Sequence, residues 1–371
     1  MKFVDLLHRW TGGLLGLLLA ALGLSGAILV HRDAWVILPH ARDAQLQDLA
    51  VVVGSVERLL AASPRPNSIT FASKDFGLHR VRFTGEAGAY ADQSGAIVAQ
   101  WGDKWDRPEL WLFDLHHYLL AGKTGALVAG WVALIGLGFV ATGLILWWIR
   151  RRTFAFRLWP ARMDRPRILR QHRDFGVVVA PLLTLSLLTG AMMTLRPVAD
   201  VLLTPWGPSV ELRGSLAAPQ ARGGASTQQL NWTRIFGEAR RRFPDAEFRV
   251  LSLPEKPGGL ISIRMRQAPE WLPNGRSTLW FDASDGRLVE ARDALSMPRG
   301  AQIFNAVYPL HAAKVGGLPY RIVMTASGLA LCLLGTLSVW TFWFRRPQAL
   351  RSCAGAVASL RTEQDSRRTR M

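Results

Sequence analysis

Four long apolar runs divide the chain, and a histidine stands near one end of each. The runs are Leu14 to Val30, Ala126 to Trp148, Phe175 to Leu195 and Tyr320 to Phe344. At ~1.5 Å of rise per residue, each is long enough to cross a bilayer as a helix. The first ends in His31-Arg32-Asp33 with no small-residue cleavage site after it, so it predicts a retained membrane helix rather than a leader. Pro181 inside the third run predicts a kink that a bundle can absorb.

Between the runs the pattern changes. Leu46 to Ala62 has helical spacing, and Asn67 to Ala72, Leu78 to Phe83 and Ala89 to Asp92 read as short strands. Asp92-Gln93-Ser94-Gly95 is a turn, followed by a return strand from Ala96 to Gln100. The stretch after the third run repeats the scheme. Gln229 to Arg242 predicts an amphipathic helix, and Phe248 to Leu253, Leu260 to Met265 and Ser277 to Phe281 predict strands. Asp282-Ala283-Ser284-Asp285-Gly286 then turns into Leu288-Val289.

The membrane runs repeat as well. His8-Arg9 and His172-Arg173 each have a glycine four residues after the histidine (Gly12, Gly176) and another eighteen after it, in Ser25-Gly26 and Thr189-Gly190. Trp148 and Trp343 each lie thirty-two residues after a histidine, His116 and His311, and Arg150 and Arg345 each follow two residues later. The expected fold class is therefore a membrane protein, an α-helical bundle of four transmembrane helices in two parallel repeats, with an α+β domain outside the cytoplasm in each repeat. The expected segments are helix one at 1–31, a soluble domain at 32–115, helix two at 116–150, a basic loop at 151–172, helix three at 173–196, a second soluble domain at 197–310, helix four at 311–345 and a basic tail at 346–371.

The charge fits this arrangement. The chain of 371 residues carries a net charge of +18, with its basic residues beside the apolar runs. Arg150, Arg151 and Arg152 open a loop crowded with further arginines as far as Arg173, which the positive-inside rule places in the cytoplasm together with both termini. That placement argues for membrane lipid as the neighbour and against nucleic acid. The two cysteines, Cys332 and Cys353, form no CxxC, so covalent haem attachment and cysteine-ligated clusters are excluded. No glycine-rich nucleotide fingerprint and no phosphate-binding lysine motif occurs.

Eight histidines remain to be explained. His40 and His79 fall in the first soluble stretch, where an ordinary structural role suffices. His8 and His172 fall at equal depth on the cytoplasmic side, and His116 or His117 with His311 on the outer side. Ionisable residues at membrane depth are costly and point to function. Two depth-matched pairs suit haem, which takes one imidazole from each of two helices, better than zinc, which wants three or four ligands. His31 could compete for the outer pair. His117 points about 100° away from His116 on a helix, so only one of them can serve an axial position, and the register of His311 selects His116. Arg9, Arg173 and Lys314 lie close enough in sequence to meet haem propionates, although the positive-inside rule is the better explanation of Arg9 and Arg173.

These motifs resemble the PepSY-associated transmembrane family, the iron-regulated membrane proteins linked to siderophore uptake. The resemblance rests on Leu7-His8-Arg9-Trp10-Thr11-Gly12, on Leu115 to Gly125, on His172-Arg173, on Leu310-His311 with Gly316-Gly317-Leu318-Pro319, and on Gly143 to Arg151. It implies PepSY-like soluble domains, His8, His116, His172 and His311 as ligands to the iron of two b-type haems, and haem-dependent reduction of ferric siderophores. The expectation is a reductase of the bacterial inner membrane that delivers electrons to a periplasmic ferric siderophore or similar iron complex, supplied by a donor protein or a quinol. The alternative is a non-catalytic PepSY regulator or binding protein that controls a peptidase or another partner.

Overall fold

The computed structural model describes residues 2–220, 230–256 and 258–344. In chain order the helices are α1 (Lys2–Leu29), α2 (Arg32–Trp35), α3 (Leu49–Ala61), α4 (Pro108–Tyr118), α5 (Gly122–Arg150), α6 (Arg165–Thr194), α7 (Arg196–Leu203), α8 (Ser209–Leu216), α9 (Trp232–Arg242), α10 (Arg299–His311) and α11 (Gly317–Trp343). The strands are β1 (Ser68–Thr70), β2 (His79–Arg82), β3 (Gly88–Ala91), β4 (Ile97–Trp101), β5 (Glu247–Ser252), β6 (Leu260–Arg266), β7 (Ser277–Asp282) and β8 (Leu288–Arg292).

Helices α1, α5, α6 and α11 are each long and apolar enough to cross a membrane, so the chain is a multi-pass membrane protein. Two local departures from the sequence expectation shape the site. Neither His116 nor His311 begins a membrane helix. His116 lies near the end of α4 and His311 ends α10, and each of those helices is broken from the span that follows. The first break carries Leu119, Leu120 and Gly122 at left-handed φ of 47°, 60° and 56°. The second carries Ala313, Gly316 and Gly317 at 51°, 69° and 62°. Helix α6 also starts about ten residues before its apolar run. Asp164 caps it by accepting the Arg167 amide, and Pro166 sits in its first turn. His172 is therefore two turns inside a helix. The expected end of helix four at Arg345-Arg346 and the tail lie outside the described residues.

The two soluble stretches do not form separate sheets. Their eight strands join in one antiparallel sheet of order β4-β3-β2-β1-β5-β6-β7-β8. The seam is β1 on β5, with Ile69 opposite Leu251. Both hairpin turns use the same device. Asp92 Oδ1 accepts the amide and hydroxyl of Ser94 before Gly95, and Asp282 Oδ1 accepts those of Ser284 before Gly286. One face of the sheet buries Ile69, Val81, Phe248, Leu251, Ile263 and Phe281 under α3 and α9, which makes a single core of both stretches. Helices α7 and α8, which no pattern in the sequence announced, lead from α6 toward that sheet.

His79 shows how dry this layer is. It is 3 % exposed. Its Nδ1 accepts the Ala72 amide at 2.9 Å, and its Nε2 has no partner among the described residues. Burial pushes the imidazole down to about 4, chiefly by desolvation. Because the folded value lies below the unfolded one, the unfolded chain takes up the proton first as pH falls. Stability should be intact above about pH 6.5 and fall by about 3 kcal/mol toward pH 4. Thermal midpoints of the purified protein against pH should show this slope, and His79→Gln should flatten it.

Candidate functional site

The four spans form a ring in which α1 packs on α11 and α5 on α6, so α1 and α6 face each other across the bundle. The α1–α11 contact is set by glycines. A Cβ on Gly16 would lie 2.7 Å from Gly335 O, and one on Gly23 would lie 2.5 Å from Gly328 O. This is backbone-to-backbone packing of the kind that small residues permit in membranes. Gly16 makes room for α11 and also edges a cavity.

That cavity lies at the loop end of the bundle, beside residues 151–164. It holds about 580 Å³, and His8 and His172 stand in its wall. Their ring centres are 6.1 Å apart. The His8 Nδ1–H donates to Thr142 Oγ1 at 2.9 Å, because the Thr142 hydroxyl proton is already given to Gly138 O. His172 Nδ1 lies 3.4 Å from Ser338 Oγ. The start of α6 is clamped to the loop by Asp174, which is fully buried and takes ion pairs from both Arg157 and Arg173. Arg173 also donates to the carbonyl and hydroxyl of Thr153 at 2.9 Å each. Arg173 therefore holds the loop, through one hydrogen bond from each of its three nitrogens. Among the described residues Arg9 pairs only with the exposed Asp5, at 3.4 Å, and it lines the cavity.

A second cavity of about 170 Å³ lies at the sheet end, walled by His116, His117 and His311. The His116 and His311 ring centres are 6.0 Å apart. His116 reaches across to α1 and His311 to α6. His116 Nδ1 meets Ser25 Oγ and Leu22 O, each at 3.0 Å. His311 Nδ1 meets Thr189 Oγ1 at 3.0 Å and Ser186 O at 3.1 Å. The glycine after each hydroxyl residue gives the ring its place. A Cβ on Gly26 would lie 2.8 Å from His116 Cε1, and one on Gly190 would lie 3.3 Å from His311 Cε1. The repeated Ser25-Gly26 and Thr189-Gly190 pairs were visible in the sequence, but their partners were not.

The remaining sequence-level candidates divide. His117 stacks on Phe113 at 4.1 Å and shares the cavity wall, with its ring centre 5.7 Å from that of His116. His31 is drawn away, its Nε2–H donating to Thr325 Oγ1 at 2.8 Å. Lys314 lines the cavity and pairs with Asp33 at 2.5 Å. Arg32, which sequence reasoning passed over at the end of the first apolar run, lines it too and pairs with Asp33 from the other side at 3.2 Å. Burial alone would raise the Asp33 carboxyl, but Arg32 and Lys314 outweigh it and hold Asp33 below its ordinary value. The pair leaves a net positive charge at the cavity mouth.

Both pairs fit a haem. Two imidazoles on opposite sides of one metal, at bonds of about 2 Å, have ring centres roughly 6 Å apart. Each pair meets that spacing, borders a cavity, and has cations near it for propionates. Among the described residues no three His, Cys, Asp or Glu side chains gather as a metal-ion site would require. Leu187 and Leu331 line both cavities, so only a thin apolar wall separates them.

No curated protein sequence matches the chain. A family model described as the PepSY-associated TM region matches residues 6–346, nearly the whole length, and the chain belongs to that family.

Proposed function

We propose that the chain is a haem b-containing reductase that carries electrons across the bacterial inner membrane to a ferric siderophore or similar iron complex. His8 and His172 would hold one haem and His116 and His311 the other. The observation that carries this is the pair of matched imidazole couples, 6.1 and 6.0 Å between ring centres, at opposite ends of one bundle. When bound, haem supplies one-electron transfer at a potential set by its ligands and surroundings. The chain's own part is to aim the imidazoles, hold their protons on Nδ1, and keep the two sites apart with the apolar wall of Leu187 and Leu331.

On this reading the two halves are parallel repeats. Ser25-Gly26 seats His116 in one and Thr189-Gly190 seats His311 in the other. The arginine-rich loop and both termini face the cytoplasm, and the sheet lies in the periplasm. The chain has no nucleotide or flavin fingerprint, so a donor protein or a quinol supplies the electrons. Arg32 and Lys314 face the outer cavity as anchors for propionates.

The deciding experiment is the haem content of detergent-purified protein from cells supplied with haem precursors. Reduced-minus-oxidised and pyridine haemochrome spectra should give about two b-type haems per chain. A well-folded preparation with none would overturn the reductase and favour a PepSY regulator that uses its helices only as anchors.

A further inference from the structure

The four imidazoles are held differently at the two ends of the bundle. At the sheet end each Nδ1 meets a backbone carbonyl as well as a hydroxyl: Leu22 O and Ser25 Oγ for His116, Ser186 O and Thr189 Oγ1 for His311. A carbonyl oxygen can only accept. The Ser25 hydroxyl gives its proton to Ala21 O at 2.7 Å and the Thr189 hydroxyl to Leu185 O at 2.6 Å, so both hydroxyl oxygens are acceptors too. Both rings therefore carry the proton on Nδ1 and keep the Nε2 lone pair free for a metal. At the loop end, among the described residues, the Nδ1 atoms meet hydroxyls alone, at 2.9 Å for His8 and at a long 3.4 Å for His172.

This difference has a direction. Donation from Nδ1–H to a strong acceptor moves electron density into the ring and makes Nε2 a better ligand. A better ligand favours ferric over ferrous iron and lowers the reduction potential. Neighbouring cations act the opposite way, because ferrous iron carries less positive charge. The charged residues in the wall of the loop-end cavity are Lys2, Arg9, Arg150, Arg165 and Arg173 with the one carboxylate of Asp5, those of the sheet-end cavity Arg32 and Lys314, both paired with Asp33. Hydrogen bonding and charge therefore agree.

Given the haem reading above, we infer that Ser25 and Thr189, with the carbonyls of Leu22 and Ser186, are positioning residues that set the sheet-end site to a lower reduction potential than the loop-end site. The test is a redox titration of the haem-loaded protein, followed optically, together with the ¹⁵N spectrum of its histidines before haem is added. Two components should appear, and His172→Ala, which keeps only the sheet-end pair, should retain the lower one. Ser25→Ala and Thr189→Val should each move the lower component upward and leave the higher one in place, and Thr189→Ser should restore it. The ¹⁵N shifts of His116 and His311 should report the Nδ1–H tautomer. A lower component that ignores both substitutions, a shift confined to the higher one, or Nε2–H tautomers at His116 and His311 would overturn the inference alone. Protein that takes up no haem would overturn the reductase reading and this inference together.

Discussion

Replacing His172 with alanine is expected to remove about half of the haem and leave the other half with an unchanged spectrum. The reason is geometric. His8 and His172 face each other at 6.1 Å, and the other pair lies across the apolar wall of Leu187 and Leu331. Losing one imidazole leaves its partner without the opposite ligand, while the sheet-end pair keeps all its hydrogen bonds. His311→Ala should remove the other half. The double variants make the test strict. His8→Ala with His172→Ala should cost no more haem than either alone, because the two act as a unit. His172→Ala with His311→Ala should leave almost none. Haem per chain on monodisperse protein measures all of these. A single variant that loses both haems, or neither, would break the pairing. A cross pattern, with His8 grouped with His311, would redraw it.

Much of this site was legible because the chain states it twice. The His-Arg motifs at 8 and 172 and the matched distances to Trp148 and Trp343 placed four histidines at two depths without any structure. The roles of Ser25 and Thr189 were not legible, although both residues appear in the repeated motif. Each one meets a histidine more than ninety residues away, at a separation that leaves no local trace. The joining of the two soluble stretches was hidden for the same reason. Ile69 pairs with Leu251 across about half of the chain, and each stretch by itself reads as a complete small α+β unit. The breaks before α5 and α11 were hidden by composition, since Leu119, Leu120 and Ala313 take left-handed backbone that residues of their type seldom adopt. Arginine was the most ambiguous letter. Arg9 and Arg173 share a motif position, but one stands open to a cavity while the other is bound up with Asp174 and Thr153.

Gly335→Val should be the most damaging glycine substitution at the α1–α11 contact. A Cβ there would lie 2.2 Å from Gly16 O, and one on Gly16 would meet Gly335 O in return. The obstacle is backbone on both sides, so no rotamer change relieves it. The helices must part, and parting them also opens the Gly23–Gly328 contact about two turns away on each helix. Overpacking a core costs about 1–3 kcal/mol when side chains can yield. Here they cannot, and the loss should reach about 3 kcal/mol or more. Gly138→Ala is the fitting control. It lies on α5, with nothing within 4 Å of the added Cβ, and alanine is favoured over glycine by about 1 kcal/mol in a helix interior, so it should be neutral or mildly stabilising. Unfolding midpoints in detergent would rank the three proteins. The haem content of Gly335→Val then separates packing from ligation. Helix α1 carries His8 toward one cavity and Ser25 toward the other, so displacing it should loosen both pairs at once, where His172→Ala empties only one. A Gly335→Val protein that keeps its unfolding midpoint would mean that α1 and α11 do not pack through these glycines, and the shared frame of the two sites would have to lie elsewhere.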